Sequence, residues 1–161
     1  KNLNSIIKHI KKAASKKVDI VCFPEASLIH SNNKNTIKKI PIKKYINKIK
    51  DTCKESKIHC IFGSNILKND KLYNSAFFID DDGKVIYTYD KVNLWINERK
   101  EKVSGKKNKV VKTKFGKIGI IICWDIAYPE YVKKLSRKGA SVIFCPSYIK
   151  NYGRVYFKSF L

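Results

Sequence analysis

At 161 residues, 43% of them hydrophobic, the chain is long enough for one domain with its own core and too apolar for wholesale disorder. A formal net charge of +22 raises nucleic-acid binding, but the arginines are Arg99, Arg137 and Arg154, so lysine carries the charge, whereas readers of bases and phosphates favour the bidentate fork of arginine. Lysine, asparagine and isoleucine are abundant together and share AT-rich codons, so the charge reads as genome bias and no nucleic-acid partner is expected.

The pattern begins with Leu3, Ile6, Ile7, Ile10, Ala13 and Ala14 at helical spacing, with Lys8, Lys11 and Lys12 on the other side. "VDIVCF", 18 to 23, reads as a short buried strand that ends at Pro24. Pro41 suits the first turn of a second helix, continued by Ile42, Tyr45, Ile46, Ile49 and Cys53. "IHCIFG", 58 to 63, reads as another strand, and 72 to 90 as a hairpin turning at "DDDG", 80 to 83. A basic loop follows from Lys91 to Lys109, then two strands joined at Phe115-Gly116, a helix opened by Pro129, and a strand at 141 to 146. This alternation predicts an α/β layered domain over 1–161.

No run approaches the apolar length of a membrane span, and Lys1 to Lys17 lacks the apolar centre of a secretory signal, so a cytoplasmic protein with no membrane partner is expected. The five cysteines (Cys22, Cys53, Cys60, Cys123, Cys145) show no CxxC spacing. They read as reduced thiols rather than a disulfide framework or a zinc site, and four of them as core filler. The chain begins within a helical pattern and stops at Phe160-Leu161 in mid-pattern, so it reads as part of a longer protein.

Three segments end an apolar run in a reactive side chain. "GIIICWDIAYPE", 119 to 130, carries Cys123 to a strand end and turns sharply, the outline of a nucleophile elbow. "CFPEASL", 22 to 28, places Glu25 beyond a strand end, where a carboxylate suits a general base. "YTYDKVNLW", 87 to 95, places Lys91 at the close of the hairpin, where an ammonium suits a developing oxyanion. Each also has a plain reading: a core cysteine, a surface carboxylate or helix cap, one solvated lysine among many. His9, His30 and His59 are not placed to serve as the base.

Taken together and in this order, "CFPEASL", "YDKVNLW" and "GKIGIIICWDIAYPE" resemble the nitrilase, or carbon–nitrogen hydrolase, superfamily, as do the opening helix and "RKGASVIFCPS". The resemblance spans essentially the whole chain. It implies an αββα four-layer sandwich, incomplete here, lacking the family's first strand and roughly its last third. It implies a Glu-Lys-Cys triad of Glu25, Lys91 and Cys123 that cleaves non-peptide carbon–nitrogen bonds through a thioester, with no metal and no organic cofactor. Lys91 and the backbone N–H of Trp124 would hold the oxyanion, and the neighbouring ammonium would favour the thiolate. Glu98, seven positions before Gly105, would position substrate, with Glu101 the weaker candidate, and Trp124 would line the pocket. Asp125 and Glu130 would orient the turn and the helix start. A small amide or nitrile is the implied substrate, amides favoured, and the parent is expected to form a homo-oligomer. The chain departs from the family pattern at Asn93, where His is frequent, and at Ala127, where Arg is frequent. The competing readings are a catalytically inactive scaffold or fragment of the same fold and a basic nucleic-acid-binding module.

Overall fold

Apolar side chains at helical and period-two spacing build the layers. The computed structural model of the chain describes residues 2–106 and 108–149. Helix α1 (Asn2–Ser15) buries Leu3, Ile6 and Ile10. Helix α3 (Ile42–Ser56) lies beside it and buries Ile49, Thr52 and Cys53. Between them in sequence come β1 (Ile20–Cys22) and a short helix α2 (Lys34–Lys38).

The first sheet has the order β1-β2-β3-β4, with β2 (His59–Lys68), β3 (Lys71–Ile79) and β4 (Val85–Asp90). β1 runs parallel to β2, and β2, β3 and β4 form an antiparallel meander. Alternation sends Cys60, Phe62, Phe77 and Ile79 towards α1 and α3, and Ile61, Ala76, Phe78 and Tyr89 to the opposite face. That second face meets Ile118 and Ile120 of the other sheet, and Ile122 just beyond them. The other sheet has the order β5-β6-β7, made of β5 (Val111–Thr113), β6 (Gly116–Ile120) and β7 (Val142–Phe144). Helix α4 (Pro129–Arg137) covers its outer side, where Leu135 packs on Gly119. The stack is therefore helix, sheet, sheet, helix, the αββα sandwich that the resemblance implies. Each fully buried Ile or Phe in it contributes about 1.5–3 kcal/mol.

The 80–83 turn forms as expected. Oδ1 of Asp80 accepts from the backbone N–H of Asp82 and Lys84 at 3.1 and 2.7 Å, and Gly83 takes φ 76°. The turn between β5 and β6 is likewise held by Thr113, whose hydroxyl accepts from Phe115 N–H at 3.1 Å. Three readings are corrected. β2 does not stop at Gly63 but runs to Lys68, because Asn65 buries its amide by donating to the carbonyls of His30 and Ser31, both at 3.2 Å. A second hairpin then turns at Asn69-Asp70, both in the left-handed region at φ 47° and 58°. Helix α2 escapes a periodicity search because it is so short; Asn33 caps it by accepting from Thr36 N–H at 3.0 Å. Of the cysteines read as core filler, Cys53 and Cys60 are buried, but Cys22 is exposed and Cys145 half-buried. Both lie on or just beyond the short outer strands β1 and β7, where coverage is thinner. No helix among the described residues is long and apolar enough to cross a membrane.

Gly63 is where the segment after β1 lies directly on β2. Ser27 donates to the Gly63 carbonyl at 3.3 Å, and Leu28 N–H donates to the same oxygen at 2.9 Å. A Cβ at position 63 would stand 2.4 Å from the Ala26 nitrogen and 3.0 Å from the Glu25 Cα. Gly63→Ala should therefore destabilise the fold by about 1–3 kcal/mol, read as a lower urea midpoint, whereas a harmless substitution would show that this contact is loose.

Candidate active site

Three loops converge at one end of the sandwich. Glu25 follows β1 on a turn that Phe23 anchors by donating its N–H to the Ile61 carbonyl at 2.8 Å, and Ala26 takes φ 51° to complete it. Lys91 follows the last residue of β4. Its N–H donates to the Asn74 carbonyl at 2.9 Å, and its own carbonyl accepts from Gly105 N–H at 2.8 Å. Cys123 follows an extended Ile122 and begins a 3-10 turn (Cys123–Ala127) at φ 45°. The reversal is thus an elbow, reached through a 3-10 turn before α4 rather than by a direct strand-to-helix step. A non-glycine residue in this conformation is strained and persists only where surrounding bonds impose it.

Asp125 imposes much of that conformation. It is fully buried, and its Oδ2 accepts from Ile122 N–H at 2.9 Å and from the Tyr89 hydroxyl at 2.7 Å. Its Oδ1 accepts from the backbone and side chain of Asn93 at 2.7 and 3.0 Å. One carboxylate therefore ties the Cys123 elbow to the segment after Lys91, and Asn93 supports that segment through Asp125. Burial raises the Asp125 carboxyl above its ordinary range despite these donors. Glu130 lies exposed in the first turn of α4, where a negative charge suits the helix dipole.

The charged groups form one buried cluster. The Lys91 ammonium, 1% exposed, donates to Glu25 Oε1 at 2.9 Å and to Glu98 Oε2 at 2.6 Å. Glu98 sits in a 3-10 turn (Glu98–Lys100) and also accepts from Lys102 at 2.9 Å and from Trp95 N–H at 3.0 Å. It is no solvated loop charge. Glu101, by contrast, is exposed and accepts from Asn32 instead. Glu25 Oε2 accepts from Tyr148 N–H at 3.1 Å. Trp124 is half-buried, its ring edge-on to that of Trp95 at 4.3 Å between centroids. Asn74, Trp95 and Lys102 join the cluster without having been singled out from sequence. The available signal for Asn74 was a polar pair, Asn74-Ser75, inside an otherwise apolar strand.

Burial alone would lower the Lys91 pKa, but the charges of Glu25 and Glu98 and their hydrogen bonds hold it above the ordinary lysine value. Glu98 is driven down to about 2, burial being outweighed by Lys91 and then Lys102. Burial pushes the Cys123 thiol up to about 12, and the Glu25 charge pushes the same way. Lys91 pulls in the other direction and does not prevail, because two carboxylates already share its charge. The expectation that the ammonium favours a resting thiolate is therefore corrected: burial and the Glu25 charge favour the protonated thiol over the pull of Lys91. Among the described residues no group of three or more His, Cys, Asp or Glu side chains is placed to hold a metal ion.

Comparison with known proteins gives this αββα sandwich its family. A family model described as "Carbon-nitrogen hydrolase" matches residues 1–157, and the chain belongs to that family. Deaminated glutathione amidase of Dictyostelium discoideum is 29% identical over 175 residues, covering 94% of this chain and 60% of that protein. Omega-amidase NIT3 of Saccharomyces cerevisiae is 35% identical over 89 residues, covering 50% of this chain and 31% of that protein. The chain thus spans less than two thirds of these relatives. A solved mutant of the amidase from Nesterenkonia sp. AN1, showing the result of Michael addition of acrylamide at the active site cysteine, has a TM-score of 0.85 at 17% identity. The match covers 96% of this chain and 63% of that one, and the likeness is one of fold.

Glu98 gives the cluster a pH signature. Its folded pKa lies below its ordinary value of 4.5, at about 2. The stability it contributes is therefore complete above about 4.5 and is lost as pH falls towards 2. Urea titrations from pH 6 down towards pH 2 should show Glu98→Gln less stable than the native chain at pH 6, with the gap closing on the acid side. A gap that stays constant with pH would show that Glu98 is not held ionised by Lys91 and Lys102.

Proposed function

We propose that the chain carries the catalytic cluster of an amidase-like carbon–nitrogen hydrolase, with Cys123 as nucleophile, Glu25 as general base and acid, and Lys91 as electrostatic support. The observation that carries this reading is the position of Glu25: its carboxylate holds the Lys91 ammonium at 2.9 Å and lies near enough to Cys123 for its charge to act on the thiol. Because the thiol is protonated at rest, proton transfer to Glu25 accompanies attack of sulfur on the amide carbon. The carbonyl electrons move to oxygen, and the resulting charge falls to Lys91 and the backbone N–H of Trp124 at the elbow. Glu25 then returns the proton to the departing nitrogen as the carbon–nitrogen bond breaks, leaving a thioester on Cys123. Water, deprotonated by Glu25, adds to that thioester and releases the acid and the thiol.

Lys91 serves two steps in this scheme. It keeps Glu25 charged and ready to accept a proton, and it meets the oxyanion when Glu25 has become neutral and loosened its hold on the ammonium. Substrates are proposed to be small amides, in keeping with the amidases among the relatives. Glu98 and Trp124 are proposed to position the substrate, Glu98 through the ammonium it holds and Trp124 by walling the site with Trp95.

The test is mass spectrometry of the protein after incubation with acrylamide and with a panel of small amides and nitriles. Acrylamide should modify Cys123 ahead of Cys22 and Cys145, and a hydrolysable amide should leave a transient acyl adduct on Cys123 that persists in Glu25→Gln. Cys123→Ala should lower amide hydrolysis by roughly a thousandfold or more. Equal modification of the three thiols in folded protein would overturn the reading in favour of a non-catalytic scaffold.

A further inference from the structure

We infer that Asn74 is a positioning residue of this cluster: its side-chain amide, clamped between Glu25 and Glu98, holds Glu25 aligned and charged for the Cys123 proton. The inference rests on the catalytic reading above and adds a residue to it. Asn74 lies on β3, 1% exposed. Its Nδ2 donates to Glu25 Oε1 at 2.7 Å and to Glu98 Oε1 at 2.9 Å. Its backbone carbonyl accepts from Lys91 N–H. One residue of a central strand therefore touches Glu25, Glu98 and Lys91.

Two carboxylates that share one ammonium repel each other, and such pairs usually respond by protonating one member or swinging apart. Here Lys91 spans the two through Glu25 Oε1 and Glu98 Oε2, and Asn74 spans them a second time through the Oε1 atoms of both. Glu25 Oε1 thus receives two donors from different directions, which fixes the carboxylate plane, while Lys102 takes up further charge on Glu98. Both neighbours are acceptors, so the amide nitrogen must face them. The cost appears on the other side of the group, where Asn74 Oδ1 is buried with no hydrogen-bond partner among the described residues. A side chain present only to fill the strand interior would be apolar and would leave no such atom. The orphaned oxygen marks a residue kept for its two N–H groups.

The experiment is the pH profile of iodoacetamide alkylation at Cys123, followed by peptide mass spectrometry well below the thiol's own ionisation. It compares the native protein with Asn74→Leu, Asn74→Asp and Glu25→Gln, each checked for folding by far-UV circular dichroism. The native rate should fall on the acid side as Glu25 takes up a proton from solvent, and that limb should vanish in Glu25→Gln. Removing a donor from a carboxylate favours its protonated form, so Asn74→Leu should move the limb to higher pH by about one unit. Asn74→Asp, which adds a third carboxylate, should move it further. A role in packing alone would not move it. If the limb stays in place in a folded Asn74 variant yet vanishes in Glu25→Gln, the inference about Asn74 is overturned and the catalytic reading stands. If the limb survives in Glu25→Gln, the catalytic reading falls and this inference falls with it.

Discussion

The buried contact between Lys91 and Glu25 is the constraint around which the rest of this structure is arranged. An ammonium at 1% exposure is tolerable only if opposite charge and hydrogen bonds replace the water it has lost. Glu25 and Glu98 supply the charge, and Lys102 then offsets the second carboxylate. Two acids and two bases leave the cluster neutral, which is why it can sit among apolar layers. Breaking one partner leaves an uncompensated charge inside the protein, so single substitutions here act on stability as well as on chemistry.

The sandwich supplies the rigidity that this arrangement needs. Glu25, Lys91 and Cys123 stand just beyond β1, β4 and β6, elements from two different sheets. Their separation is set by how those sheets pack, with Ile61, Phe78 and Tyr89 against Ile118 and Ile120. Asp125 reinforces the same alignment by reaching from the elbow to Tyr89 on β4 and to Asn93 beyond Lys91. The core is therefore part of the site's geometry, since a shift between sheets would move the thiol relative to Glu25.

Much of this was legible in the chain. The helices beginning near Leu3 and Pro41, the hairpin turning at Asp80 to Gly83, and the elbow at Cys123 each carry a local signature in period, turn residues or an abrupt end to an apolar run. Glu25, Lys91 and Cys123 stood out because each closes such a run and their order matches a family pattern. What the sequence could not express was pairing across distance. Asn74 is an ordinary asparagine until the strand register sets it between two carboxylates. Lys102 is one lysine in a chain full of them until the 3-10 turn brings it back to Glu98. The strand at Ser64 to Lys68 was hidden for the same reason: Asn65 reads as a loop residue unless the carbonyls of His30 and Ser31 are known to await it.

The protonated thiol has a consequence for how long the site survives. Peroxides and other two-electron oxidants attack thiolates, and a sulfur held as the thiol is a poor target. With burial and Glu25 keeping Cys123 protonated at rest, sulfenic acid should form slowly in the empty site. Under the proposed mechanism, reactivity is reserved for electrophiles that enter beside Glu25 and let the proton leave as the new bond to sulfur forms. The same arrangement that makes the thiol look inert would then shield it between turnovers, a form of chemical durability that a permanently ionised cysteine would lack.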